Sequence, residues 1–98
     1  MFKRNKTAQQ VDRPLTSEAL RRWLIQHLAD RVGANPAEID TGKTFEEYGL
    51  DSRVAVQVSG SLEKLVERRL SPGLLYEHQT IDDLNSYLAR ELHLADQA

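Results

Sequence analysis

In the string Phe45-Glu46-Glu47-Tyr48-Gly49-Leu50-Asp51-Ser52, one serine follows an aspartate at the head of an amphipathic stretch. A serine hydroxyl is a poor nucleophile unless an adjacent base, itself oriented by a third group, takes its proton. The sequence sets no such partner beside Ser52. His27, His78 and His93 are far apart, and the site has neither G-x-S-x-G nor S-x-x-K. We therefore assign no catalytic residue. Asp51 and Ser52 are also both good helix caps, so the pair alone could simply start a helix.

Other chemistries are excluded by what is missing. The chain has no cysteine, which rules out a disulfide framework, a Cys-ligated zinc and a thiol nucleophile. The histidine spacing matches no metal motif, so no metal is expected. At 98 residues the chain makes one small domain with one modest core, too little for a self-contained serine hydrolase. No apolar run approaches the ~18 residues of a membrane span, and residues 1–10 lack the apolar middle of a secretory signal. The expectation is a soluble, cytoplasmic monomer with no membrane partner. Met1 and the short tails point to a free-standing protein.

Charge is uneven. Lys3, Arg4, Lys6 and Arg13 outweigh Asp12 in the first fifteen residues, while the remainder carries nine basic and fourteen acidic residues. An acidic body argues against nucleic acid as a partner, despite the pairs Arg21-Arg22 and Arg68-Arg69.

Periodicity predicts an all-α fold: a small four-helix bundle of three main helices plus one short one, with a long loop between the first and second. Residues 1–15 read as a flexible lead-in, 16–93 as the folded domain and 94–98 as a frayed end. A helix from Ser17 to Arg31, capped by Thr16 or Ser17, aligns Leu20, Trp23, Leu24, Leu28 and Val32, and Gly33 suits its end. In the loop, Asn35-Pro36 can start a single turn, and Ile39, Phe45, Tyr48 and Leu50 are apolar anchors. A second helix is expected from Ser52 to Arg69, with Val54, Val58, Leu62, Leu65 and Val66 on one face and Val56 turned away. The small residues Ser59-Gly60-Ser61 invite close approach by a neighbouring helix or a bound chain. Ser71-Pro72 reads as the cap and first turn of a short helix over 72–77, packed through Leu74, Leu75 and Tyr76. Thr80, with an acid three residues on, starts a last helix that turns Ile81, Leu84, Leu88 and Leu92 inward.

From about Thr16 to Leu92 the chain resembles the acyl carrier protein family. Phe45 falls at the family's aromatic position, Gly49-Leu50-Asp51-Ser52 matches its motif, and Arg69-Leu70-Ser71-Pro72 through Thr80-Ile81 resembles its downstream segment. The resemblance implies 4'-phosphopantetheine, taken from coenzyme A by a phosphopantetheinyl transferase and attached to Ser52, with Gly49, Leu50 and Asp51 forming the site. It implies a carrier without catalytic activity, holding acyl groups as thioesters. Gly-Leu-Asp-Ser looks closer to polyketide and fatty-acid carriers than to peptidyl ones. The surrounding strings further resemble carriers loaded by fatty-acyl-AMP ligases. The implied partners are an acyl-activating ligase and a ketosynthase or other acyl-processing enzyme, met through Tyr48, Arg53, Val54 and Gln57. A peptidyl or aryl carrier and an unmodified helical interaction domain are the alternatives. Arg53 replaces the family's usual apolar residue, Gln79 its usual proline, and the second helix is not strongly acidic.

Overall fold

The computed structural model describes residues 15–94. The lead-in over 1–14, with its basic residues, and the tail over 95–98 lie outside the described residues. Among those described, the elements are α1 (Ser17–Val32), a 3-10 turn (Pro36–Glu38), α2 (Ser52–Val66), α3 (Leu74–Glu77) and α4 (Ile81–Glu91).

Each long helix begins where a short polar side chain satisfies a free backbone N–H. Thr16 Oγ1 accepts from Ala19 N, Asp51 Oδ1 from Val54 N and Thr80 Oγ1 from Asp83 N, each at 3.0 Å. Asn35 does the same for the 3-10 turn, accepting from Ala37 N at 2.9 Å. Gly33 closes α1 in the left-handed region with φ 73°, as its lack of a Cβ permits.

The apolar stripes meet in one core. Leu20, Leu24 and Leu28 come from α1, Ala55, Val58 and Leu62 from α2, Leu74 and Leu75 from α3, and Ile81, Leu84 and Leu88 from α4, with Phe45 added by the loop. The α1 and α4 helices pack on each other, and α2 on α3. Leu15 and Leu94 pack against the edge of this core. No helix among the described residues is long and apolar enough to cross a membrane.

Three local expectations are corrected. The second helix ends at Val66, not Arg69: Glu67 turns left-handed (φ 58°), and the Glu63 carboxylate accepts the Leu70 N–H at 2.7 Å. Arg68 and Arg69 are left exposed in the turn. The short helix starts at Leu74, not Pro72, because Ser71 Oγ accepts from Gly73 N at 3.0 Å and holds a turn instead of a cap. A four-residue helix can bury only one side. Leu74 and Leu75 take it, so Tyr76 is 55% exposed rather than packed. Leu92, the C-terminal cap of α4, packs against the edge of the core as expected, half-buried.

The Ser59-Gly60-Ser61 patch divides. Ser59 is buried, but a Cβ built on Gly60 meets nothing within 4 Å, so no neighbouring helix among the described residues approaches Gly60 closely. It is an interior helical glycine with no steric reason to be one. Gly60→Ala is expected to raise stability by about 0.5–1 kcal/mol through the lower entropy of the unfolded chain and better helix propensity. Chemical denaturation read by circular dichroism checks this.

Candidate functional site

The loop of residues 33–50 is fastened at several points. The Tyr48 hydroxyl accepts the Asp40 N–H at 2.7 Å and donates to the Asp40 carbonyl at 3.3 Å. Lys43 Nζ lies 4.7 Å from the centre of the Tyr48 ring. On the α4 side, Phe45 N donates to Gln79 O at 2.8 Å and Asp82 N to Thr41 O at 3.1 Å. Arg21 of α1 closes the clamp, bonding Asp82 Oδ1 at 2.7 Å and Thr41 Oγ1 at 3.0 Å. The bond from Arg21, helped by Thr41, holds the Asp82 carboxyl below its ordinary pKa against a smaller opposing effect of burial.

These ties set the last turn before α2. Gly49 N donates to Glu46 O at 2.9 Å and Leu50 N to Phe45 O at 3.1 Å. Gly49 has φ 86°, a conformation that costs an L-residue roughly 1–2 kcal/mol. The chain leaves this turn with the Leu50 side chain half-buried against the core, and Asp51 caps α2. Ser52 is thus presented exposed in the first helical turn.

Beside it runs an open surface groove of about 250 Å³, lined by Thr44, Phe45, Glu46, Leu50, Asp51, Leu75, Tyr76 and Gln79. Sequence reasoning misses Leu75, Tyr76 and Gln79 as neighbours of the motif, because they lie more than twenty residues downstream. The structure brings Gly49, Leu50, Asp51 and Ser52 together as expected from their adjacency. The surface residues named from sequence divide. Arg53 is exposed and Val54 half-buried against the core. The Gln57 amide oxygen is engaged by Arg31 Nη1 at 2.7 Å, and Tyr48 spends its hydroxyl on the loop. No cluster of His, Cys, Asp or Glu among the described residues could hold a metal ion.

A histidine sits behind the motif. His27 stacks on Trp23 (ring centroids 4.5 Å apart, planes 12° apart), and its Nε2 is buried with no hydrogen-bond partner. With Leu24, Leu28, Phe45, Leu50 and Val58 it lines an internal void of only about 10 Å³. Burial, with the Arg31 charge second and Asp30 opposing, lowers its pKa from the ordinary 6.5. Below that value the unfolded chain therefore binds a proton that the folded chain refuses, and stability falls with pH. The melting temperature is expected to drop between about pH 7.5 and pH 5.5, and His27→Phe should flatten that drop. A second loss is expected below the usual carboxylate range, as Asp82 is forced to protonate. Melting curves of both proteins across pH check the two windows.

Helices in this order, a fastened loop and a capped serine at the head of α2 describe a small carrier bundle. The family model described as "Phosphopantetheine attachment site" matches residues 22–88. This chain belongs to that family: it is a carrier domain, and the family's prosthetic group is 4'-phosphopantetheine. It is 43% identical over 70 residues to a phenolphthiocerol/phthiocerol polyketide synthase of Mycobacterium tuberculosis, a match covering 71% of this chain and 4% of that protein. The chain thus spans a small fraction of the curated relatives it matches. Among solved structures it is similar to a free-standing peptidyl carrier protein from a secondary metabolic pathway of Acinetobacter baumannii (38% identity, TM-score 0.73, 79% of this chain and 96% of that one). It is also similar to an acyl carrier protein of Anabaena with a variant phosphopantetheinylation-site sequence (31% identity, TM-score 0.75, 82% and 91% covered).

Proposed function

We propose that Ser52 is the anchor of the phosphopantetheine group and that the domain, over residues 16–93, carries acyl intermediates for polyketide or related fatty-acyl assembly in the cytoplasm as a monomer. The observation that carries this is the exposure of Ser52 in the first turn of α2, directly after the Asp51 cap.

The residues present fit the group. Ser52 is exposed, and the adjacent Asp51 carboxylate is engaged by the Val54 N–H, so activation of the hydroxyl is left to a separate transferase. In that transfer the Ser52 oxygen would bond to the phosphorus of coenzyme A that bears pantetheine, the pyrophosphate P–O bond to the nucleotide half would break, and the hydroxyl proton would pass to a base of the transferase. The new phosphodiester would stand at a helix N-terminus, where free N–H groups and the helix dipole favour negative charge. When bound, the group supplies a terminal thiol that can hold a thioester, which a chain without cysteine cannot form. Gly49 and Leu50 set the approach to Ser52, and Asp51 rigidifies the first turn. The domain adds no reaction of its own. A tethered arm raises the local concentration of cargo at successive enzymes, which is the whole of its contribution to rate.

The partners in this reading are a phosphopantetheinyl transferase, an acyl-activating ligase of the fatty-acyl-AMP kind, and a ketosynthase or other acyl-processing enzyme. Arg53 and the exposed edge of α2 are their landing surface. Likeness to a mycobacterial polyketide synthase supports the acyl assignment. Likeness to a peptidyl carrier favours a second reading, in which the cargo is an aminoacyl group. Intact mass of the chain after incubation with coenzyme A and a broad-specificity transferase tests the anchor. One added phosphopantetheine is expected, and no gain overturns the proposal. Loading of the product by fatty-acyl-activating against aminoacyl-activating ligases separates the two cargoes.

A further inference from the structure

We propose that Ser71, in the turn between α2 and α3, is a phosphoryl acceptor for a serine/threonine kinase directed by arginine before the acceptor and proline after it. The site is separate from Ser52 and does not depend on that reading.

The turn carries what such an enzyme reads. In Arg68-Arg69-Leu70-Ser71-Pro72 two guanidinium groups stand three and two residues before one hydroxyl, and a proline follows it. Arg68, Arg69, Ser71 and Pro72 are exposed, while Leu70 is half-buried against the core. Three arginines of α1 are occupied: Arg21 by Asp82 and Thr41, Arg22 by Glu18, and Arg31 by Gln57. Arg68 and Arg69 form no ion pair or side-chain hydrogen bond with any described residue. A carboxylate-lined enzyme groove recognises such free guanidinium groups through charge-assisted, bidentate bonds.

The backbone also suits. The α2 helix stops at Val66, and residues 69–71 lie outside any helix. Pro72 steers the residue before it toward extended conformations, which open the segment to an enzyme cleft. Ser71 Oγ accepts from Gly73 N at 3.0 Å but donates its own proton to no described residue. In the transfer, the Ser71 oxygen would bond to the γ-phosphorus of a magnesium-bound nucleoside triphosphate. The bond from that phosphorus to the β–γ bridging oxygen would break, nucleoside diphosphate would leave, and the hydroxyl proton would pass to a carboxylate of the kinase.

The product has a role that the unmodified serine lacks. Over residues 67–73 the turn holds two arginines against one acid, Glu67. A phosphate adds a charge of about −1.5 to −2 and strong acceptor oxygens, so the turn changes from basic to acidic. Arg68 and Arg69 become its partners, and the Gly73 N–H keeps an acceptor. Glu63 does not compete for the arginines, because its carboxylate is held by the Leu70 N–H. The change resets the rate of encounter with charged partners and leaves the buried side chains untouched.

The test incubates the full-length chain, Ser71→Ala and an Arg68→Ala/Arg69→Ala double variant with a purified kinase of that specificity and magnesium ATP. Intact mass and fragment mapping read the products, and a synthetic peptide of residues 64–77 is run alongside. One phosphoryl group on Ser71 is expected, with none on Ser71→Ala. The double variant should show a kcat/KM lower by about tenfold or more, as loss of two charge-assisted contacts implies. The guanidinium Nε–H signals of Arg68 and Arg69 should move on phosphorylation while those of Arg21 and Arg31 stay. The Ser52→Ala chain keeps the whole turn and should accept the group at the wild-type rate, which separates this site from the prosthetic one. Modification of the peptide but not of the chain, a gain that persists in Ser71→Ala, no gain in any sample, or unmoved Arg68 and Arg69 signals each overturn the proposal.

Discussion

Ser52→Ala is expected to abolish phosphopantetheine addition completely while leaving the fold intact. The two effects separate because cap and anchor are different residues. Asp51, not Ser52, accepts the Val54 N–H at 3.0 Å and satisfies the first turn of α2. Ser52 is exposed, and alanine is a better helix former, so stability should change by no more than about 0.5 kcal/mol. Asp51→Ala is the informative contrast, since it removes the cap at a cost of about 1 kcal/mol and leaves the hydroxyl in place. Intact mass reads the modification and thermal melting reads the fold. Addition of the group to the Ser52→Ala chain, at any rate, would mean that the anchor lies elsewhere.

Leu62→Ala is expected to destabilise the domain by about 2–5 kcal/mol, a large share of the 5–15 kcal/mol available to a protein of this kind. Leu62 is fully buried at 0% exposure on α2, in the cluster to which α1, α3 and α4 all contribute. Little around it can relax into the space, because its neighbours in that cluster, Leu20, Leu74, Ile81, Leu84 and Leu88, are themselves fully buried. Leu65→Ala, at a half-buried site on the same helix, should cost distinctly less. Urea denaturation of both variants checks the difference. A cost under about half a kcal/mol for Leu62→Ala would contradict its place at the centre of the core.

Local signals carry much of this architecture. The stripes of α1 and α4 follow a 3.6-residue period, and Thr16, Asp51 and Thr80 are caps whose side chains do what their chemistry allows. The end of α2 is illegible for the opposite reason. Glu67 adopts the left-handed conformation without being glycine, whereas Gly33 announces the end of α1. Ser71-Pro72 reads equally as a helix start and as a turn, and only the Ser71–Gly73 bond decides between them. For the site, the motif itself is visible as adjacent residues. Its groove is not, because Leu75, Tyr76 and Gln79 reach it through the fold. Nor does any local pattern pair Arg21 with Asp82, 61 positions apart. Gln57 looks like free surface in sequence, but Arg31 engages it; Tyr48, named both as a loop anchor and as a partner contact, packs against the core and bonds Asp40.

The clamp between the loop and α4 has a consequence for how the domain is made. Phe45 waits for Gln79, Thr41 for Asp82, and Arg21 for both Thr41 and Asp82. A nascent chain whose α4 has not yet emerged from the ribosome has the Arg21–Thr41 pair but no counterpart for the contacts with Gln79 and Asp82. The turn that aims Ser52 outward therefore gains its anchorage to α4 only after translation has run some thirty residues past the serine, and until then is held by its local bonds alone.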